Sequence, residues 1–173
     1  GRAHWRDLVP PQPGRLIMKM TSHARHLVWL VRADAVPSLC IRTWSRGETH
    51  VVAFDEPTYA LSYTPGLEHD TDQLRFTYSS LSTPGETYDY DMEQRSRVLI
   101  KKREIPSGHD AERYQVLRID AEAEDGARVP VSILKRRDVP LDGSAPCLLY
   151  GYGAYGIVIP AGFRSNILSL VDR

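Results

Sequence analysis

Hydrophobic and polar residues alternate in short runs over the first hundred residues of the chain, and no helical periodicity interrupts them. Alternating runs rich in β-branched and aromatic residues, separated by prolines and glycines, are typical of antiparallel strands. The pattern predicts strands at Leu16–Met20, His26–Val31, Ser38–Trp44, His50–Ala53, Tyr59–Tyr63, Leu74–Ser79, Thr87–Asp91 and Arg97–Lys101.

These strands form two groups of four that repeat along the chain. The strand that begins at His26 is followed by one at Leu74, 48 residues later, and two further pairs of strands show the same offset. Four strands per unit of this length are typical of β-propeller blades, but an antiparallel sandwich gives the same alternation, so the pattern alone favours neither. A closed propeller has about four to eight blades. We therefore expect the chain to be part of a longer protein.

The character of the sequence changes after residue 105. Residues 106–110 contain Pro106 and Gly108 and have no period, which predicts a linker between a first unit, residues 1–105, and a second unit, residues 111–173. In the second unit, Tyr114–Ala123 and Arg128–Lys135 alternate on either side of an Asp-Gly pair, which predicts a hairpin.

Two further elements are predicted in the second unit. The continuously apolar run Pro146–Tyr150 predicts a short strand buried on both faces. The spacing of the apolar residues after Pro160 predicts a short helix that Ser165 or Asn166 caps. Its apolar positions are Phe163, Ile167, Leu168 and Val171.

Residues 151–156, here called the glycine loop, read GYGAYG and match G-x-G-x-x-G. Dinucleotide-binding loops open directly into a helix, whereas an apolar run ending at Pro160 follows here. A kinase loop needs a lysine on a nearby strand, and no lysine follows Lys135. The context instead favours the oxyanion loop of an α/β-hydrolase, which follows a buried strand.

Tyr152 is the candidate for chemistry in this loop. A phenol stays protonated near neutral pH, so Tyr152 could donate a hydrogen bond to a developing oxyanion. The alternative is that the ring only packs against apolar neighbours.

Composition and charge limit which kinds of partner and cellular compartment we expect for the protein. The chain has 22 basic and 22 acidic side chains and a formal net charge of zero, which argues against a nucleic-acid partner. No apolar run approaches the ~20 residues that span a bilayer. Cys40 and Cys147 have no second cysteine or histidine at ligand spacing, so we expect no disulfide and no metal site. Two unpaired cysteines favour a reducing, cytoplasmic compartment.

Motifs throughout the chain are similar to those of one family. In the second unit they are Asp125-Gly126, Val129–Val131, Asp142-Gly143 and Pro146–Gly156, and in the first unit they are Trp5–Pro10, Phe54–Pro57, Tyr78–Ser80, Thr83-Pro84 and Tyr88–Met92. The chain resembles the prolyl oligopeptidase family of serine peptidases, and within it the oligopeptidase B branch. The resemblance covers nearly the whole chain and is most specific at Tyr150–Gly156.

The resemblance implies a fold and a set of site residues. The fold is mainly β, with a partial β-propeller of about two four-stranded blades, followed by the first strands and the oxyanion loop of an α/β-hydrolase domain. By resemblance, Tyr152 stabilises the oxyanion, and Tyr155, with Gly153 and Gly156, lies at the substrate pocket. No cofactor is implied.

The resemblance also bears on the substrate. The prolyl-specific branch typically has phenylalanine and asparagine where this chain has Tyr155-Gly156, which favours cleavage of short peptides after arginine or lysine. Oligopeptidase B members often carry an acidic residue at the position of Pro160, and its absence argues against a preference for paired basic residues.

The catalytic triad is expected outside this chain. No serine lies in a G-x-S-x-G frame, and the order Ser, Asp, His of α/β-hydrolases places all three after the oxyanion loop, beyond Arg173. All six histidines precede the loop, so we expect none of them to be the catalytic base. We therefore expect the isolated chain to be catalytically inactive. We also expect it to be marginally stable or aggregation-prone, because two blades alone leave strand edges unpaired and apolar faces exposed. The parent protein would act on short peptides, without a nucleic-acid or membrane partner, and could be monomeric. The alternative is a β-rich, propeller-type binding module with no catalytic role.

Overall fold

Two four-stranded antiparallel sheets contain most of the ordered backbone in a computed structural model that describes residues 4–173. Each sheet has its strands in sequential order. The first sheet comprises β1 (Arg15–Ser22), β2 (His26–Ala33), β3 (Val36–Thr43) and β4 (Thr49–Val51). The second sheet comprises β5 (Ala60–Thr64), β6 (Gln73–Ser79), β7 (Glu86–Asp91) and β8 (Ser96–Lys102). The predicted strands and their grouping in fours are confirmed.

A shared hydrophobic core lies between the two sheets. Alternate residues of a strand point to the same face, so the short alternating runs place their apolar side chains on the inner faces. The core residues are Val28, Leu30, Leu39, Ile41 and Val52 from the first half and Leu61, Tyr63, Leu74, Phe76, Tyr78, Tyr90 and Met92 from the second. Phe54 adds aromatic contacts, stacking on Tyr78 with ring centroids 4.8 Å apart.

The first sheet is also covered on its other face. Leu27, Trp29, Val31 and Cys40 form a second buried cluster against Val9 of the N-terminal segment. Strand β2 is therefore buried on both faces, in keeping with its continuously apolar sequence. In contrast, β1 and β8 expose large apolar side chains, including Met20 and Val98.

Ion pairs join the two sheets at residues about one repeat apart. Arg25 forms a bidentate contact with Asp72, through Nε at 2.9 Å and Nη2 at 2.9 Å. Arg46 bonds to Glu93 at 2.6 Å, again between the two halves of the repeat. Fork-shaped pairing of this kind fixes orientation as well as distance. These contacts set the register of one sheet against the other.

We expect Phe76→Ala to lower the free energy of unfolding by about 3–5 kcal/mol, because it leaves a cavity in the core between the sheets. Phe76 is 1% exposed, and its ring lies 5.7 Å from that of Phe54 and 5.3 Å from that of Tyr88. Urea denaturation measures the change. The control is Val98→Ala on β8, where the side chain is 64% exposed; it should shift stability by at most about 0.5 kcal/mol. Equal losses in both variants would contradict this account of the core.

Residues 111–173 form a hairpin and one short helix. A single turn of 3₁₀ helix, Ala111–Arg113, leads into β9 (Tyr114–Glu122), which pairs with β10 (Arg128–Arg136). The hairpin predicted at Asp125-Gly126 is confirmed: Gly126 has φ +80°, and its N–H donates to the Ala123 carbonyl at 2.9 Å. Helix α1 (Ser165–Val171) follows near the C-terminus.

Two expectations for this second unit are wrong. Pro146–Tyr150 forms no strand and is exposed, because no strand in residues 4–173 pairs with it or covers its faces. The N-cap of α1 is Arg164, which makes no side-chain capping bond, so Ser165 is the first helical residue and neither predicted cap is used. This structure therefore shows the β9–β10 hairpin and α1 in the second unit but does not show the start of an α/β-hydrolase sheet.

The histidines near the edge between the sheets make stability depend on pH. Burial is the largest cause that lowers the pKa of His23, and positive charge on His69 and His26 adds to it. Burial likewise lowers the pKa of His50, with Arg95 and His26 contributing. A histidine in the unfolded chain titrates near pH 6.5. At pH values between the lowered pKa of the folded protein and about pH 6.5, these histidines bind more protons in the unfolded chain than in the folded one. Acidification through this range therefore favours the unfolded chain.

We therefore expect full stability above about pH 6.5 and a falling Tm as the pH drops below that value. Thermal melts between pH 8 and pH 5 measure the change. His23→Gln should reduce the slope in this range, whereas His4→Gln, at an exposed position, should leave the slope unchanged. A Tm that rises on acidification through this range would contradict the assignment.

Candidate active-site loop

The glycine loop ends in a tight turn. Tyr155 and Gly156 have φ of +56° and +64°, and the N–H of Ile157 donates to the Ala154 carbonyl at 3.1 Å. Two successive positive φ values closed by this bond describe a type I′ turn. Glycine takes up such a conformation readily, but a left-handed tyrosine is strained by roughly 1–2 kcal/mol. Such strain persists only where surrounding contacts hold the backbone, and it is common at functional sites.

The tyrosines predicted as site residues are accessible to a ligand. Tyr152 is 50% exposed and Tyr155 is 93% exposed. The space around Gly153 and Gly156 is open, so a ligand can approach the backbone there. Upstream of the loop, the Tyr150 ring lies 5.5 Å from the guanidinium of Arg164. The structure thus brings Tyr152, Gly153, Tyr155 and Gly156 together on one exposed loop.

The loop is attached to the first sheet by an arginine that the sequence did not indicate. Nη2 of Arg32, in β2, donates to the Gly156 carbonyl at 3.0 Å. Just beyond the loop, Val158 and Pro160 border a cavity of about 250 Å³ that Tyr59 and Leu61 also line. The end of the loop therefore contacts the first sheet, and the run after the loop borders a cavity that both sheets line.

Gly162 permits this close approach. A Cβ at Gly162 would lie 3.2 Å from Oγ of Ser79 and 3.3 Å from Cβ of Ala60, which is tighter than ordinary van der Waals contact. A side chain at this position would require one of these neighbours to move by a few tenths of an ångström.

The predicted linker is anchored by an aromatic cluster. Nε2 of His109 lies 2.6 Å from the Ser82 carbonyl. The imidazole stacks on Tyr114 at 5.7 Å and meets the edge of Phe163 at 4.8 Å. The Tyr114 hydroxyl donates to Asp172 at 2.9 Å, and burial together with that carboxylate raises the pKa of Tyr114. The linker thus contacts the loop after β6, strand β9 and the segment that leads into α1.

One histidine lies in an arrangement that resembles part of a catalytic triad. Nε2 of His26 lies 3.0 Å from Asp72, and Nδ1 lies 3.4 Å from the Thr43 hydroxyl. However, His26 is 0% exposed and Thr43 is 3% exposed, so no substrate can reach the hydroxyl. This array connects the two sheets.

Over residues 4–173, no cluster of three or more His, Cys, Asp or Glu side chains is arranged to hold a metal ion. None of the helices in that range is long and apolar enough to cross a bilayer.

The sequence matches the family described as "Prolyl oligopeptidase, N-terminal beta-propeller domain" over residues 1–103. Dipeptidyl aminopeptidase BI of Pseudoxanthomonas mexicana is 34% identical over 173 residues, which cover 99% of this chain and 24% of that protein. Protease 2 of Moraxella lacunata is 26% identical over 127 residues, which cover 73% of this chain and 18% of that protein.

Solved structures give the same relationship. Oligopeptidase B from Trypanosoma brucei with covalently bound antipain superposes with a TM-score of 0.86 at 30% identity, covering 96% of this chain and 24% of that one. Oligopeptidase B from Leishmania major gives 0.85 at 27% identity, covering 95% and 24%. The chain thus spans about a quarter of the length of these relatives. Together with the two four-stranded sheets, these matches show that the chain belongs to the prolyl oligopeptidase family of serine peptidases.

Proposed function

We propose that the whole protein containing this chain is a serine oligopeptidase that hydrolyses short peptides after arginine or lysine. Residues 1–105 would be propeller, 106–110 the linker and 111–173 the start of the peptidase domain. The observation that carries the proposal is the exposed glycine loop, with Tyr152 accessible and its end attached to the propeller sheets through Arg32. The two free cysteines support a cytoplasmic setting.

In the proposed mechanism Tyr152 acts on the oxyanion. When a serine attacks the peptide carbonyl, negative charge develops on the carbonyl oxygen. A phenolic O–H is a hydrogen-bond donor and can bond to that oxygen. A prearranged donor stabilises the transition state more than the substrate, and so it raises kcat. Serine, histidine and aspartate would come from outside residues 1–173.

Tyr155 and Gly156 would face the substrate. The exposed ring of Tyr155 offers an apolar and stacking surface to the peptide, and the open space at Gly156 lets the peptide backbone come close. The relatives carry different names, a dipeptidyl aminopeptidase among them and prolyl endopeptidases among the solved structures. The substrate of this protein therefore needs a direct test.

The full-length gene product should be assayed on fluorogenic peptides with arginine, lysine or proline before the scissile bond. Each peptide is supplied with a blocked and with a free N-terminus. We expect kcat/KM for blocked arginyl and lysyl peptides to exceed that for prolyl peptides at least about tenfold. A pocket that binds a basic side chain leaves its own polar groups unpaired when proline takes that place, and it therefore discriminates strongly against proline. Faster cleavage of prolyl peptides, or release of dipeptides only, would contradict the proposed specificity. No hydrolysis and no labelling by a serine-reactive phosphonate would favour the binding-module alternative.

A further inference from the structure

We infer that Arg32 is a positioning residue: its bond to the Gly156 carbonyl holds the turn of the glycine loop and thereby places Tyr152 for catalysis. The bond joins residues 124 positions apart, one in the propeller and one in the loop. The inference rests on the proposed role of Tyr152. Arg32 itself does not touch the reacting atoms in this scheme.

The backbone of Arg32 is held by strand pairing on both sides. It lies in β2, between its β1 neighbour Leu16 and its β3 neighbour Pro37. The preceding residues of β2, His26–Val31, are all buried. Pairing on both sides therefore fixes the backbone from which the Arg32 side chain extends to the glycine loop.

The hairpin beside Arg32 is held from a second direction. Asp34 and Ala35 connect β2 to β3 with φ of +48° and +64°, a two-residue turn of the kind found in tight hairpins. Nη2 of Arg118, in β9, donates to the Asp34 carbonyl at 2.8 Å. The hairpin tip thus receives one bond from β9, and its own Arg32 gives one bond to the glycine loop.

The Gly156 carbonyl, which accepts the bond from Arg32, belongs to the strained turn of the glycine loop. Tyr155 has a left-handed backbone conformation. Within the described chain, one backbone hydrogen bond closes the turn, from the Ile157 N–H to the Ala154 carbonyl. A charged donor strengthens a hydrogen bond relative to a neutral one. Arg32 can therefore stabilise the strained turn at Tyr155-Gly156. Because Tyr152 lies only three residues before Tyr155 in the same loop, the conformation of the turn affects the position of Tyr152. The propeller would in this way help to set the oxyanion donor.

Full-length Arg32→Gln and Arg32→Lys variants test the inference. Loss of a transition-state interaction lowers kcat with little change in KM. We expect Arg32→Gln to lower kcat about 3- to 30-fold, which is the range for loss of one partly exposed charged bond. Lysine keeps a single cationic donor and should recover most of the rate. The control is Arg75→Gln, which removes the Asp89 pair inside the second sheet and should leave kcat unchanged.

A double-mutant cycle separates positioning from general damage. If Arg32 acts through Tyr152, then Arg32→Gln should lower kcat far less in a Tyr152→Phe background than in the wild type. Equal losses in both backgrounds, or no loss in either, would overturn the inference.

Hydrogen exchange of the Ile157 amide gives a readout that does not depend on activity. Arg32→Gln should speed this exchange at least about fivefold, because opening of the turn releases that amide, and Arg75→Gln should not. Unchanged exchange would overturn the inference even if the rates fall. If Tyr152→Phe alone has no effect on kcat, the proposed oxyanion role fails, and faster exchange would still show that Arg32 holds the turn.

Discussion

We expect the isolated 173-residue polypeptide to hydrolyse no arginyl peptide above the buffer rate, and we expect the proposed full-length peptidase to hydrolyse the same peptide readily. The chain has no serine in a G-x-S-x-G frame. In a serine peptidase, loss of the nucleophile or the histidine lowers kcat about 10⁶-fold. The exposed Tyr152 cannot replace them, because a donor to the oxyanion acts only once a nucleophile attacks.

Fluorogenic assays of both proteins at equal concentration measure this difference. A serine-reactive phosphonate should label the full-length protein and leave the 173-residue chain unlabelled. The Thr43–His26–Asp72 array provides an internal control, since Thr43→Ala in the full-length protein should leave kcat unchanged. Turnover by the isolated chain, or its labelling at any serine, would contradict the absence of a nucleophile.

The strands could be predicted because their signal is local. Alternation along β6, QLRFTYS, places Leu74, Phe76 and Tyr78 on one face, and the structure buries all three. Boundaries were less exact. Strand β3 begins at Val36 rather than Ser38, because Asp34-Ala35 makes a left-handed turn without the Asn-Gly or Asp-Gly signal that marks such hairpins.

The features that could not be predicted depend on distant partners. The apolar run Pro146–Tyr150 has the composition of a buried strand, but a strand needs neighbours to pair with, and the described chain provides none for it. The bond from Arg32 to Gly156 spans 124 residues, and no periodicity or motif marks it. The glycine loop itself was found from its motif, whereas its attachment to the propeller became visible only in three dimensions.

Tyr152→Phe in the full-length protein is expected to lower kcat about 10- to 1,000-fold while KM changes little. The substitution removes one hydroxyl and keeps the ring, so packing of the 50% exposed side chain is preserved. If the hydroxyl donates only to the oxyanion, its loss affects the transition state and leaves substrate binding intact. Initial rates on a blocked arginyl peptide, fitted over a range of concentrations, separate the two parameters.

Tyr150→Phe is the matched control for this prediction. Tyr150 is 62% exposed, lies two residues before Tyr152, and contacts Arg164 through its ring, which the substitution retains. Removing its hydroxyl should therefore leave kcat and KM near the wild-type values. A fall in kcat for Tyr152→Phe alone would assign the effect to one hydroxyl of the glycine loop. Equal falls in both variants would point to general disturbance of the segment, and an unchanged kcat for Tyr152→Phe would exclude the oxyanion role.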